Sequence, residues 1–107
     1  MIKIRIKYEL ENNYIKYDFF EWSRVGFAEG KLEGTAFVMD QIFKLDKELK
    51  NFGAEALKLL EEHLKSLNVE RITGECIPQD GMPLEKLIEF YKENGYKVDN
   101  GEIEKYL

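Results

Sequence analysis

The stretch from Lys44 to Leu67, KLDKELKNFGAEALKLLEEHLKSL, decides how the rest of the chain is read. It takes over at the end of an apolar strand (Ile42, Phe43, Leu45), passes through a short basic loop (Lys47, Lys50, Asn51) and becomes a helix from Gly53 to Leu67. Spacings of three and four put Gly53, Ala56, Leu57, Leu60, Leu64 and Leu67 on one face. Small residues at the start of that face let the backbone come close to a neighbour. A helix N-terminus leaves backbone N–H groups unpaired at the positive end of the macrodipole, so it can hold an anion such as a phosphate. An ordinary amphipathic helix entered through a solvated loop has the same pattern, so the surrounding chain has to decide.

Upstream, Thr35 to Leu45 is apolar on both sides: Phe37, Met39, Phe43 and Leu45 against Ala36, Val38 and Ile42. That is a strand in the middle of a sheet covered on both faces. Asp40 and Gln41 interrupt it, and polar groups there are either hydrogen-bonded structural residues or lie in a wet cleft. Downstream, Asn68 leads into a strand, Arg71 to Ile77, so strand, helix and strand form a βαβ crossover with the two strands parallel. After the loop Pro78-Gln79-Asp80-Gly81, Pro83 opens a second helix, Leu84 to Asn94, with Leu84, Leu87, Ile88 and Tyr91 on one face and Gly95 as its stop. Tyr96–Val98, a turn at Asp99-Asn100-Gly101, and Ile103–Leu107 make a closing hairpin.

The front of the chain alternates. Ile2, Ile4, Ile6, Tyr8 and Leu10 face a core, and Lys3, Arg5, Lys7 and Glu9 face water. Asn12-Asn13 turns the chain into a second, aromatic strand, Tyr14 to Trp22, and a third run, Val25 to Leu32, is interrupted by Gly26 and Gly30, which suggests a bulge or an irregular edge. The result is one α+β domain, residues 1–107, with a mixed, mostly antiparallel sheet, a central parallel pair and two main helices.

Composition narrows the class. With 44% hydrophobic and 35% charged residues the chain reads as a soluble globular domain, and no run approaches the ~18 apolar residues of a membrane span. The first residues alternate Lys and Ile and do not read as a signal peptide. The net charge of −5 disfavours nucleic acid as a partner but leaves room for a small phosphorylated ligand. One cysteine, Cys76, rules out an intrachain disulfide and fits a cytoplasmic location.

Three further segments count together: Asp40-Gln41-Ile42-Phe43 before the loop, Ile72-Thr73-Gly74-Glu75 after the helix, and Phe90-Tyr91-Lys92-Glu93-Asn94-Gly95-Tyr96. On these, residues 35–98 resemble the central unit of the GCN5-related N-acetyltransferases, whose fold is the acyl-CoA N-acyltransferase-like one. In that family an Arg/Gln-x-x-Gly-x-Gly/Ala loop holds the pyrophosphate of acetyl-coenzyme A on its backbone amides, and a Phe-Tyr-x-x-x-Gly-Phe signature carries a tyrosine that protonates the departing thiolate. The resemblance implies acetyl-coenzyme A as cosubstrate. Phe43, Lys44 and Leu45 then line the pantetheine slot by their backbone, and Lys50, Asn51, Phe52, Gly53 and Ala54 hold the phosphates. Two departures stand out. Asn51 occupies the place of the first loop glycine and Glu48 that of the Arg or Gln. A side chain narrows the approach of phosphate to backbone, although Asn tolerates the left-handed region better than most residues. The family also places helices between its first two strands, and Glu11-Asn12-Asn13 leaves no room for them. The acceptor pocket is then either open, suited to an amine on something large, or completed by a second copy in a homodimer.

Acetyl transfer to an amine needs a held thioester, a donor to its carbonyl oxygen, removal of an amine proton and protonation of the sulfur. Tyr91 is the candidate general acid, though an aromatic on this helix face also reads as core. Asp40 and Glu75, on the two strands flanking the slot, are the candidate bases, and a water relay serves as well. Lys44, Lys47 and Lys50 put positive charge near the phosphate site, or are solvated surface. His63 reads as an exposed surface histidine with no metal constellation, Cys76 as a small buried apolar residue, and Glu61 with Lys65 as a helical pair. The density of Tyr17, Phe19, Phe20 and Trp22 implies that some of them are exposed, as acceptor surface or dimer contact, unless all are core. Two functions follow: an N-acetyltransferase acting on an unidentified primary amine of a small molecule or protein, or a catalytically silent module of the same fold that acts by binding.

Overall fold

The computed structural model describes residues 4–44, 52–78 and 83–107, with only the backbone of Phe43 and Lys44. Four strands come first: β1 (Arg5–Glu11), β2 (Tyr14–Phe20), β3 (Arg24–Glu33) and β4 (Ala36–Lys44). Then follow α1 (Phe52–Ser66), β5 (Arg71–Glu75), α2 (Leu84–Glu93), β6 (Lys97–Asp99) and β7 (Glu102–Tyr106). The sheet has seven strands in the order β1-β2-β3-β4-β5-β7-β6. All neighbours are antiparallel except β4 and β5, which are parallel, with Phe37 beside Ile72. This is the α+β architecture read from the sequence, with α1 as the crossover between the parallel strands.

Two-residue turns set the register at the front. Glu11 pairs with Tyr14 and Glu33 with Ala36, and Asn12 and Gly34 take the left-handed φ (57° and 60°) that such hairpins need. Alternation then sends Ile15, Tyr17 and Phe19 of β2, Ala28 of β3 and Phe37 and Met39 of β4 to one face, where they form a single core with Leu57, Leu60 and Leu64 of α1 and Tyr91 of α2. Both helices thus cover the same face. The other face, with Lys16 and Asp18 on β2, Thr73 and Glu75 on β5 and Glu102 and Glu104 on β7, carries no helix among the described residues. β4 is therefore not covered on both sides as its apolar pattern suggested; Val38 and Gln41 are only half-buried.

Three further expectations are corrected. The inward face of β1 does not stay buried to its end: Ile4 is buried, but Tyr8 is 52% and Leu10 46% exposed, because β1 is the terminal strand and α1 reaches only part of it. β2 stops at Phe20, and Trp22 lies in the following turn, 95% exposed, while Tyr17 and Phe19 are core. The bulge expected in β3 is present beside Gly26, where Phe19 and Phe20 face Gly26 and Arg24 and Val25 is the extra residue, but the irregularity near Gly30 belongs to the opposite strand. Glu29 and Gly30 face Gln41 and Met39, so Asp40 is the extra residue of a bulge in β4.

Candidate active site

The bulge at Asp40 follows directly on the last β4–β5 pair, Met39 with Gly74. A bulged strand bends and twists away from its neighbour. β4 runs on to Lys44 while β5 ends at Glu75, so only four residue pairs join the two strands before they part. The opening lies at their C-terminal ends, the side on which α1 begins. Beyond Met39 the backbone groups of β4 on that side have no strand partner among the described residues.

On the bare face, a cleft of about 630 Å³ starts at this opening and extends over β5, β7 and β6. Five carboxylates line it, Asp40, Glu75, Asp99, Glu102 and Glu104, against two bases, Arg71 and Lys97. Arg71 is already held by Glu104 at 2.7 Å. The structure therefore brings Asp40 and Glu75 into one cleft, both exposed. Asp40 accepts a hydrogen bond from the Tyr14 hydroxyl (3.0 Å), whose pKa is pushed up to about 12 by burial and by the carboxylates of Asp40 and Glu29. Gln41 is held by Glu29 at 2.7 Å. Nothing in the sequence foretold Tyr14, Thr73, Asp99, Glu102 and Glu104 beside the opening; they come from strands distant in the chain, and only the alternation Glu102-Ile103-Glu104 hinted at a shared acidic face.

Tyr91 lies on the other side of the sheet, 4% exposed, its ring 5.3 Å from Phe90 and 5.4 Å from Tyr96. Burial first, then the neighbouring Cys76, pushes its hydroxyl up to about 12, so at neutral pH it keeps its proton. The other two buried tyrosine hydroxyls are engaged, Tyr17 with His63 (2.8 Å) and Tyr96 with Glu61 (2.8 Å). Cys76, next to the end of β5, is buried with its thiol pushed up by burial, which leaves it a poor nucleophile.

The segment Phe90 to Tyr96 has a conformational reason of its own. The amide of Tyr96 donates to the carbonyl of Tyr91 (2.9 Å) and that of Gly95 to Lys92 (3.1 Å), with Gly95 at φ +88°. This is a Schellman stop, and the ring of Tyr96 packs on that of Tyr91 as such a stop favours. Gly95 thus sets where Tyr91 sits. Gly53 also has a use the sequence did not show. A Cβ there would lie 2.7 Å from the Phe90 ring, so the missing side chain admits α2 against the start of α1.

Of the residues expected to hold the coenzyme, only some lie among the described residues. Phe52, Gly53 and Ala54 form the first turn of α1, with Phe52 buried and Ala54 exposed. Phe43 and Lys44 end β4, and Leu45, Lys50 and Asn51 lie outside the described residues. Two side chains are reassigned. His63 is not a free surface histidine: it is half-buried, bonded to Tyr17 and 4.1 Å from the Tyr8 ring. Glu61 does not form the expected helical pair with Lys65: its carboxylate binds Lys105 at 2.9 Å and accepts from the Tyr96 hydroxyl. Among the described residues no group of His, Cys, Asp and Glu could hold a metal ion.

By sequence, neither a family model nor a curated protein matches the chain. Solved structures do. The anti-CRISPR protein AcrVA5 superposes with TM-score 0.70 at 21% identity, covering 87% of this chain and 98% of that one. The PaiA N-acetyltransferase from Thermoplasma acidophilum in complex with coenzyme A gives TM-score 0.70 at 19% identity, over 89% of this chain and 62% of the enzyme, so this chain spans less than two thirds of it. An aminoglycoside 6'-N-acetyltransferase complexed with coenzyme A gives TM-score 0.72 at 17% identity, over 90% and 74%.

Proposed function

We propose, from the fold this chain shares with the GCN5-related N-acetyltransferases, that it is an acetyl-coenzyme A-dependent N-acetyltransferase for a primary amine. The observation that carries the reading is the opening where β4 runs on past its last pair with β5, with Tyr91, kept protonated by burial, on the helix-covered side of the sheet. Acetyl-coenzyme A, when bound, supplies an activated acyl group and a thiol leaving group. The first turn of α1, at Phe52, Gly53 and Ala54, together with Lys50 and Asn51, would hold its diphosphate. The end of β4, Phe43 and Lys44, with Leu45 next in the chain, would offer backbone donors to the pantetheine arm and the carbonyl oxygen. Tyr91 delivers a proton to the sulfur. On the bare face, the excess of carboxylates attracts a cationic amine, and Asp40 or Glu75 takes its proton, directly or through water. The cleft has no covering element among the described residues, which suits an amine on a protein as well as a small one. A cytoplasmic location belongs to the same proposal. One observation favours a binding module instead: the bareness of Gly53 is accounted for by Phe90 without any phosphate.

Calorimetry with acetyl-coenzyme A tests binding, and coenzyme release in the presence of lysine peptides and polyamines tests transfer. Tyr91→Phe is expected to lower kcat by about a hundredfold while leaving the coenzyme affinity within about twofold. Equal turnover in the two proteins removes Tyr91 from the chemistry, and no binding of the coenzyme leaves the silent module.

A further inference from the structure

We propose that β1 is a self-complementary edge through which two copies of this chain pair antiparallel about a two-fold axis at Tyr8. β1 is the terminal strand of the sheet, and two large side chains on its helix-covered face, Tyr8 and Leu10, are half exposed there. The two-residue turn makes Glu11 and Tyr14 a hydrogen-bonded pair. Alternation then turns the amide and carbonyl groups of Ile6, Tyr8 and Leu10 away from β2, toward the open edge. A second β1 running the other way meets these groups in register when Tyr8 faces Tyr8 of its partner. Ile6 then faces Leu10 on one side of the sheet, and on the other Arg5 faces Glu11 and Lys7 faces Glu9.

The charge order is what selects a second copy as the occupant. Positive residues fill the first half of the strand's bare face and negative residues the second, so only an antiparallel self-pairing matches every charge with its opposite. Lys7 and Glu9 lie opposite Asp18 and Lys16 across the ladder without forming ion pairs, Asp18 being bound by Arg24, while Arg5 faces Phe20 and Glu11 faces Tyr14. Neither Arg5 nor Glu11 makes an ion pair among the described residues. The two-fold pairing supplies both with an opposite charge, beside the Glu21 carbonyl to which Arg5 already donates. It produces one continuous sheet with all helices on one side, and it leaves each cleft, on the far side of β4, uncovered. The proposal goes beyond the transferase reading and does not depend on it.

Sedimentation equilibrium from about 5 to 200 μM protein tests it, with circular dichroism and thermal melts to confirm that each variant is folded. The wild-type chain is expected to dimerise in this range. Arg5→Glu sets like charges opposite each other twice per dimer and is expected to weaken association about tenfold or more; Glu11→Lys is expected to do the same by an independent change. The exchange Arg5→Glu with Glu11→Arg restores opposite charges and is expected to return the affinity to within about threefold of wild type. Under mild oxidation Tyr8→Cys is expected to cross-link copy to copy, while Trp22→Cys does not. A monomer at every concentration, a dimer indifferent to both single changes, or a double exchange that fails to recover overturns the proposal.

Discussion

His63 shows how much one residue can depend on partners far along the chain. Tyr17, whose phenol burial holds protonated, shares a hydrogen bond with its Nδ1, and Tyr8 covers the ring from the other strand. Burial lowers the pKa of His63 below its ordinary 6.5, because the charged ring is poorly solvated there. The folded state therefore binds fewer protons here than the unfolded state. Above pH 6.5 both are neutral and the site contributes nothing pH-dependent; below it the unfolded chain is protonated first and stability falls until the folded pKa is reached. The melting temperature is expected to drop from pH 7 toward pH 5, and the difference between wild type and His63→Phe isolates this share. The sequence could not reveal it. His63 lies beside the apolar stripe of α1, and what settles its environment is a pair of tyrosines on β1 and β2, whose own alternation was legible. Asp40 is the parallel case: it was visible as an anomaly in an apolar strand, but not as the bulged residue.

At the scale of elements, both helices end alike. Asn68 (φ 65°) and Gly95 (φ 88°) take the left-handed position. Val69 and Tyr96, the residues after them, donate back to Leu64 and Tyr91 and bury their side chains. These stops were readable, as were the nine elements of the described residues to within a few positions, because turn residues and a change of period mark them. What ties one element to another was not. Glu61 of α1 binds the Tyr96 hydroxyl just past α2 and the ammonium of Lys105 on β7, which also caps the carbonyl of Asn94 (2.9 Å). One carboxylate thus joins three elements, and its side chain is largely shielded from water. Glu61→Ala strands both partners and is expected to cost about 2 kcal/mol in urea unfolding. Glu61→Gln keeps an acceptor for Tyr96 and is expected to cost about half as much.

On the scale of the whole molecule, a single core on one face of the sheet makes cooperative unfolding the natural expectation. Cys76 reports on it. Buried at the end of β5 with its thiol pushed up, it is expected to resist alkylation in the native protein and to react fully once denaturant unfolds the chain. Partial reaction without denaturant would instead mark local opening beside Tyr91. The overall arrangement was legible because the βαβ and αββ orders allow few topologies. The acidic cleft was not, since it is assembled from four strands that only the finished sheet brings side by side. The parting of β4 from β5 also has a kinetic corollary. The start of α1 and the acidic cleft lie to either side of one gap, so two ligands arriving there would use separate doorways, and neither need depart before the other enters. Initial rates measured against both would then give intersecting rather than parallel reciprocal lines, the mark of a complex in which donor and acceptor are aboard together.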